Sequence, residues 1–118
     1  MIRVAVAVLG GVGAIGRFVL DDAVSARFGS NFPLGTLAVN LSGALMLGLL
    51  AGVALRGDAL LAFGTALVGS YTTFSTWMFE SHRLGEDGEP ALLWLNIAVS
   101  VVAGLGAAAL GRWVGGAL

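Results

Sequence analysis

Apolar residues dominate four stretches of the chain, running roughly over 2–20, 33–55, 59–79 and 91–110. Each is near the ~20 residues that a helix needs to cross a bilayer. Charged and ionisable residues sit almost wholly between them. Asp21, Asp22 and Arg27 fall in the first connection, Arg56 and Asp58 in the second, and Glu80, His82, Arg83, Glu86, Asp87 and Glu89 in the third. Pro33 and Pro90 stand at the starts of the second and fourth stretches, where a missing amide hydrogen is harmless. Trp94 and Trp113 lie near stretch ends, as interfacial aromatics do. Bare backbone cannot face lipid, so each stretch is expected to be helical. The pattern predicts an all-α integral membrane fold, a single domain over 1–118 with four transmembrane helices.

Composition points the same way. Of the 118 residues 58% are hydrophobic and 11% charged, against roughly 25% charged in an ordinary soluble domain, and the mean hydropathy is +0.95. Thirteen charges cannot cover the surface of a soluble domain of this length, and intrinsic disorder requires low hydropathy. The net charge of −1, with no clustered basic residues, argues against nucleic acid and against an anionic-lipid patch. The absence of Cys removes disulfides, thiolate metal sites and cysteine nucleophiles, and a lone His argues against zinc. The first stretch ends near a small-residue V-S-A at Ala26, but Arg17, Asp21 and Asp22 interrupt the approach, so it reads as a retained span and not as a cleaved signal.

Orientation carries more information. Four spans place Arg3, Arg56 and Arg112 on one side and Arg27 and Arg83 on the other, with Arg17 near that second end of its helix. The positive-inside rule gives almost no instruction from such a count. The sharper reading is a chain that inserts both ways and closes as an antiparallel twofold dimer.

Polar residues inside the spans are the functional signal, since each is costly without a partner or a watery path. Between Gly69 and Thr76 lie Ser70, Tyr71, Thr72, Thr73, Ser75 and Thr76, six hydroxyl-bearing residues in eight positions near mid-span. A single Ser or Thr in a membrane helix bonds back to the preceding turn. So many together point to a broken or unwound helix, tolerated at that depth only where it lines a cavity or binds an ion. Asn40 shares a helical face with Thr36 and Gly43, as an interhelical hydrogen bond or as an amide donor to an anion. Asn96 and Ser100, four apart in the last stretch, allow the same two readings. Arg17 is within snorkelling reach of the interface, or attracts anions into a vestibule. Glu80 closes the third stretch, at a pore mouth or at a solvated helix end, and His82 reads as solvated. Gly48/Gly52 and Gly111/Gly115 are GxxxG pairs expected to pack helices closely. Gly11, Gly13 and Gly16 fit G-x-G-x-x-G, but no acid stands ~20 positions on and no strand–helix alternation follows, so these glycines too read as packing positions.

Three motifs carry a family resemblance. G-A-I-G-R-F at Gly13–Phe18, P-L-G-T-L-A-V-N-L-S-G at Pro33–Gly43 and G-S-Y-T-T-F-S-T at Gly69–Thr76 resemble the CrcB/Fluc fluoride-channel family, over essentially the whole chain. The resemblance implies an antiparallel, dual-topology homodimer with two fluoride pores, in the plasma or inner membrane of a prokaryote. It implies a third helix broken in mid-membrane and a structural sodium ion at the dimer centre, on the backbone carbonyls of Gly69 and Thr72. Phe74 matches the first pore aromatic, while Trp77 stands where the family has a second Phe. Asn40 matches the pore asparagine, Ser75 and Thr76 a polar track, and Ser100 a fourth-helix serine. Asn96 stands where many relatives have Tyr. Arg17 matches a first-helix arginine and Glu80 an acid that follows the motif. The implied partners are fluoride, a second copy of the chain and membrane lipid, and the implied role is passive fluoride release that lowers toxicity.

Such a filter is physically consistent, because small, strongly hydrated fluoride needs donors that replace lost water. Hydroxyl and amide groups provide them, and the positive edge of a phenyl ring assists. The alternative is a small dual-topology proton-coupled multidrug transporter, but its mechanism needs an acid within the first span, and none precedes Asp21. A purely structural subunit would leave the hydroxyl-rich run and Asn40 without work. No nucleophile–base pair or metal cluster can be assembled, so the chain does not read as an enzyme.

Overall fold

A chain this apolar must satisfy its backbone internally. In the computed structural model it does so with helices alone among the described residues, which are 1–29, 32–54 and 56–118. Helix α1 covers Ile2–Phe28 and α2 covers Leu34–Gly52. The third stretch starts with a short turn, α3 (Gly57–Ala59), widens into a π-helix over Leu60–Val68, and narrows again at α4 (Gly69–Tyr71). Helix α5 follows at Ser75–Glu86 and α6 at Pro90–Ala117. Leu55, the expected end of the second stretch, lies outside the described residues.

Helices α1, α2 and α6 are long and apolar enough to cross a membrane. The third stretch is not one helix, because the chain is interrupted between Tyr71 and Ser75. Thr72 there is extended, with φ −78° and ψ 161°. Helix α1 continues past Leu20 through Asp21, Asp22 and Arg27, since a helix that leaves the hydrocarbon has no need to end. The molecule is 48 Å long, matching the ~40–45 Å of a bilayer with its headgroups.

Small residues decide how the helices meet. A Cβ on Gly48 would overlap the carbonyl of Ala108, one on Gly52 that of Arg112, one on Gly111 that of Leu45 and one on Gly115 that of Leu49. The two GxxxG pairs therefore face one another along a seam where α2 and α6 touch backbone to backbone, running in the same direction. Of the three glycines in the G-x-G-x-x-G match, Gly13 packs against Leu67 and Ser70 and Gly16 against the ring of Tyr71, whereas Gly11 faces open space. The buried apolar set is small, with Val39 at its centre, and large apolar side chains such as Val8, Ile15, Val102 and Leu105 point outward.

The α5–α6 connection is closed by backbone bonds. The N–H of Glu89 donates to the carbonyl of Leu84 at 2.8 Å and that of Gly88 to Gly85 at 3.3 Å, while Gly88 holds φ +76°. This is the Schellman ending of a helix, for which glycine is suited by its missing Cβ. Pro90 then starts α6 at a position that needs no amide hydrogen. We expect Gly88→Ala to lower stability by ~1 kcal/mol, read as a fall in melting temperature of the detergent-solubilised protein. An unchanged melting temperature would show that this turn does not set the hairpin.

Candidate functional site

The interruption at Thr72–Phe74 frees backbone groups in the middle of the third apolar stretch, and those groups need partners. Asn40, on α2, supplies most of them. Its Oδ1 accepts the N–H of Thr73 at 2.9 Å, and its Nδ2 donates to the Thr73 carbonyl at 2.8 Å. One side-chain amide thus replaces both main-chain partners of one residue. The hydroxyl of Thr73 accepts the N–H of Thr76 at 3.2 Å, three residues on, which is the capping geometry at the start of a helix.

These two bonds have a consequence for the carbonyls upstream. In an unbroken helix Gly69 would receive the N–H of Thr73 and Thr72 that of Thr76. Both donors are turned elsewhere, to Asn40 and to the Thr73 hydroxyl. The main-chain oxygens of Gly69 and Thr72 thereby lose their ordinary helical partners. Both residues line an open groove of about 350 Å³, together with Asn40, Gly43, Phe74 and Trp77. Phe74 is 70% exposed in this single chain and meets Trp77 edge-on, with ring centroids 5.6 Å apart and planes at 77°.

Close packing holds the break from two sides. A Cβ on Gly13 of α1 would overlap the Ser70 hydroxyl, and one on Gly43 of α2 would overlap the methyl of Thr72. The Tyr71 hydroxyl meets that of Ser42 at 2.7 Å, and Ser42 in turn donates to the Val39 carbonyl at 3.0 Å. Ser70 and Thr72 give their hydroxyls back to the preceding turn, at Ala66 and Val68. Part of the hydroxyl-rich run is therefore local bonding, and Thr73 is the member that shapes the break.

The remaining sequence-predicted residues fall into two groups. Arg17, Thr76 and Thr73 line a small cavity of about 60 Å³ with Asp21, Thr36 and Phe18, and the Arg17 guanidinium lies 4.9 Å from the Phe18 ring centroid. Glu80, half-buried, accepts a hydrogen bond from the hydroxyl of Thr36, itself only 3% exposed. Ser75, exposed, begins α5. The second group lies between α5 and α6: the Asn96 amide, 1% exposed, donates to Ser81 at 2.8 Å, and Ser81 donates to the Trp77 carbonyl at 2.8 Å. Ser100 lies one turn further along α6. Asn96 is therefore not in the groove with Asn40, and in one chain Trp77 is what joins the two regions. Sequence reasoning reaches Thr73 and Tyr71 only as members of the hydroxyl-rich run, and it does not reach Ser81 or Ser42. His82 pairs with Glu86 one turn on, at the surface.

Comparison with known proteins places this arrangement. The family model described as CrcB-like protein, Camphor Resistance (CrcB), matches residues 4–112, nearly the whole chain. The chain belongs to the CrcB-like family. Members similar to it include the "Fluoride-specific ion channel FluC 2" of Mycolicibacterium paratuberculosis, 57% identical over 109 residues that cover 92% of this chain and 89% of the relative. The protein of the same description from Mycobacterium tuberculosis (strain ATCC 25618 / H37Rv) is 53% identical over 113 residues, 96% of this chain and 90% of its own. A more distant member, "Fluoride-specific ion channel FluC 1" of Leifsonia xyli subsp. xyli, is 40% identical and covers 98% of this chain and 88% of its own. Within the family, the interrupted third stretch and its hydroxyl-rich motif are thus set in a chain aligned almost end to end with proteins described as ion channels.

Proposed function

We propose that this chain is a fluoride-selective channel that lets fluoride leave the cell passively, working as an antiparallel homodimer in the cell membrane of a prokaryote. The observation that carries the reading is the break at Thr72–Phe74, with backbone polar groups presented at mid-span beside a groove. Such backbone is tolerated in a membrane only where it lines a cavity or is covered by protein. The description of the family's curated members as fluoride-specific ion channels supplies the ion.

The residues suit that ion. Fluoride must trade tightly held water for donors, and the spare amide hydrogen of Asn40 and the hydroxyls of Ser75, Thr76 and Ser100 are neutral donors. The Phe74 ring adds a positive edge without a full charge. Several weak sites allow exit as well as entrance, whereas a guanidinium in the narrow part would hold the ion. Arg17 beside the small cavity suits a vestibule that concentrates anions, with Glu80 held back by Thr36.

Two features favour a second copy. The groove presents polar main chain and an exposed Phe74 at a depth where lipid cannot satisfy the former. Arginines are shared almost evenly between the two ends of the molecule, as dual insertion requires. In an antiparallel pair the Gly69 and Thr72 carbonyls of both copies would meet, and hard oxygen donors of this kind suit sodium. Sodium bound there would supply positive charge that offsets the burial of anions and a bridge between subunits.

Expression of the chain in a bacterium stripped of its own fluoride exporter is expected to restore growth in fluoride, and failure despite verified membrane insertion would count against the reading. Replacing sodium by a large organic cation is expected to weaken the dimer and fluoride release together. Full release without sodium would sink the sodium assignment alone.

A further inference from the structure

The single tyrosine of the chain, Tyr71, is the last helical residue before the break, and it does not line the groove. Its ring stands between two other helices. A Cβ on Gly16 of α1 would lie 3.5 Å from its Cδ1, and one on Gly43 of α2 would lie 3.4 Å from its Cδ2. A tyrosine set into an apolar bundle needs a partner for its hydroxyl, and this one reaches Ser42 of α2 at 2.7 Å. The direction of that bond follows from its neighbour. The one hydrogen of the Ser42 hydroxyl goes to the Val39 carbonyl at 3.0 Å, so Tyr71 donates and the Ser42 oxygen accepts. Val39 is 0% exposed, so this short relay ends in the most enclosed part of the molecule.

Ser42 stands two residues from Asn40 on the same helix. Asn40 grips Thr73, on the downstream side of the extended Thr72, and Ser42 holds Tyr71, on the upstream side. Both halves of the third stretch are thus tied to one rigid element, with the break between the two ties. The carbonyls of Gly69 and Thr72, which face the groove without their ordinary helical partners, belong to the stretch held in this way.

We propose that Tyr71 is a positioning residue for the cation site, fixing the Gly69 and Thr72 carbonyls through its bond to Ser42 and its ring against α1 and α2. The proposal rests on the sodium reading above and deepens it, by naming what keeps the cradle in shape when no ion is in it. Carbonyl oxygens repel one another as they converge, so a loose cradle spreads and must be gathered again at each binding event. A cradle held in advance avoids that cost, and the affinity rises accordingly. Tyr71 touches neither the ion nor the groove, and acts through the backbone on which Gly69 and Thr72 sit. Asn40 fixes the other flank, so the two ties divide the work between the upstream and downstream sides of Thr72.

The test uses the full-length protein in detergent, its melting temperature followed against sodium chloride and, at equal ionic strength, potassium chloride. The wild-type melting temperature is expected to rise with sodium and to saturate. Tyr71→Phe keeps the ring and removes the bond, and Ser42→Ala removes the same bond from its other end, so either variant decides if the other fails to fold. Each is expected to raise the sodium midpoint roughly three- to tenfold, the worth of one hydrogen bond, and the double variant to raise it no further. A 13C label at Cζ of the chain's one tyrosine gives a single signal, expected to move with sodium at the same midpoint in the wild type. Variants that melt lower in both salts with the wild-type midpoint would show a merely structural bond and overturn the proposal. Midpoint changes that add in the double variant would do the same, since the two residues would then act separately. A wild type that releases fluoride from liposomes without responding to sodium overturns both the sodium assignment and this role for Tyr71, and leaves the channel reading standing. The expected midpoints in protein that releases no fluoride would uphold Tyr71 and overturn the channel reading instead.

Discussion

Asn40→Ala is expected to lower fluoride release by at least about thirtyfold while the assembled protein persists. The amide of Asn40 is the partner of both the N–H and the carbonyl of Thr73. Alanine orphans both part-buried groups, at about 1–3 kcal/mol each. The chain has a way to avoid that loss, which is to rewind residues 69–76 into a continuous helix. Rewinding returns the Thr73 and Thr76 amides to the carbonyls of Gly69 and Thr72 and closes the groove. Since ~1.4 kcal/mol is a factor of ten, even the lower part of the combined range predicts a large fall in flux. The seam between α2 and α6 does not depend on Asn40, so assembly survives. Asn40→Asp separates the contributions, as it keeps an acceptor for the Thr73 N–H, loses the donor to its carbonyl, and adds a negative charge beside the groove proposed to carry anions. Flux from proteoliposomes beside a size-exclusion profile reads both quantities, and full flux in Asn40→Ala would place the pore elsewhere.

The second large effect is on folding. Gly48→Val and Gly111→Val each drive a side chain into a backbone carbonyl of the facing helix, and a carbonyl, unlike a long side chain, cannot swing aside. The loss is expected to exceed ~3 kcal/mol, since the helices must separate and give up the dispersion contacts of the whole seam. The measurement is the fraction of protein recovered as a single folded species and its melting temperature. Gly104→Ala, where an added Cβ meets nothing within 4 Å, serves as the control and is expected to keep the wild-type value. Equal tolerance at Gly48, Gly111 and Gly104 would contradict the seam.

These two predictions also mark what the sequence could reveal. Apolar length, the small-residue pairs and the crowding of hydroxyls between Gly69 and Thr76 are one-dimensional signals. They suffice for helices, for a close glycine contact and for trouble in the third span. The partners across helices are another matter. Spacing alone leaves Asn40 between gluing helices and donating to an anion, and the structure shows it gripping the Thr73 backbone, with one amide hydrogen to spare. Nothing local to Asn96 announces Ser81, because that bond depends on the turn at Gly88 setting the register of α5 against α6. Thr36 shares a face with Asn40 by spacing alone, but its bond to Glu80 needs the break to aim α5 toward α2. Long-range register is set by turns and by glycine contacts, each several residues away from the side chains it pairs.

The most direct test of the account is fluoride efflux from liposomes that hold the purified protein, read with a fluoride electrode, with chloride as the control and a potassium ionophore to carry compensating charge. Rapid fluoride release that requires the ionophore, with chloride retained, is the expected result. Fluoride retained by liposomes holding verified, folded dimers, or chloride released alongside it, would contradict it.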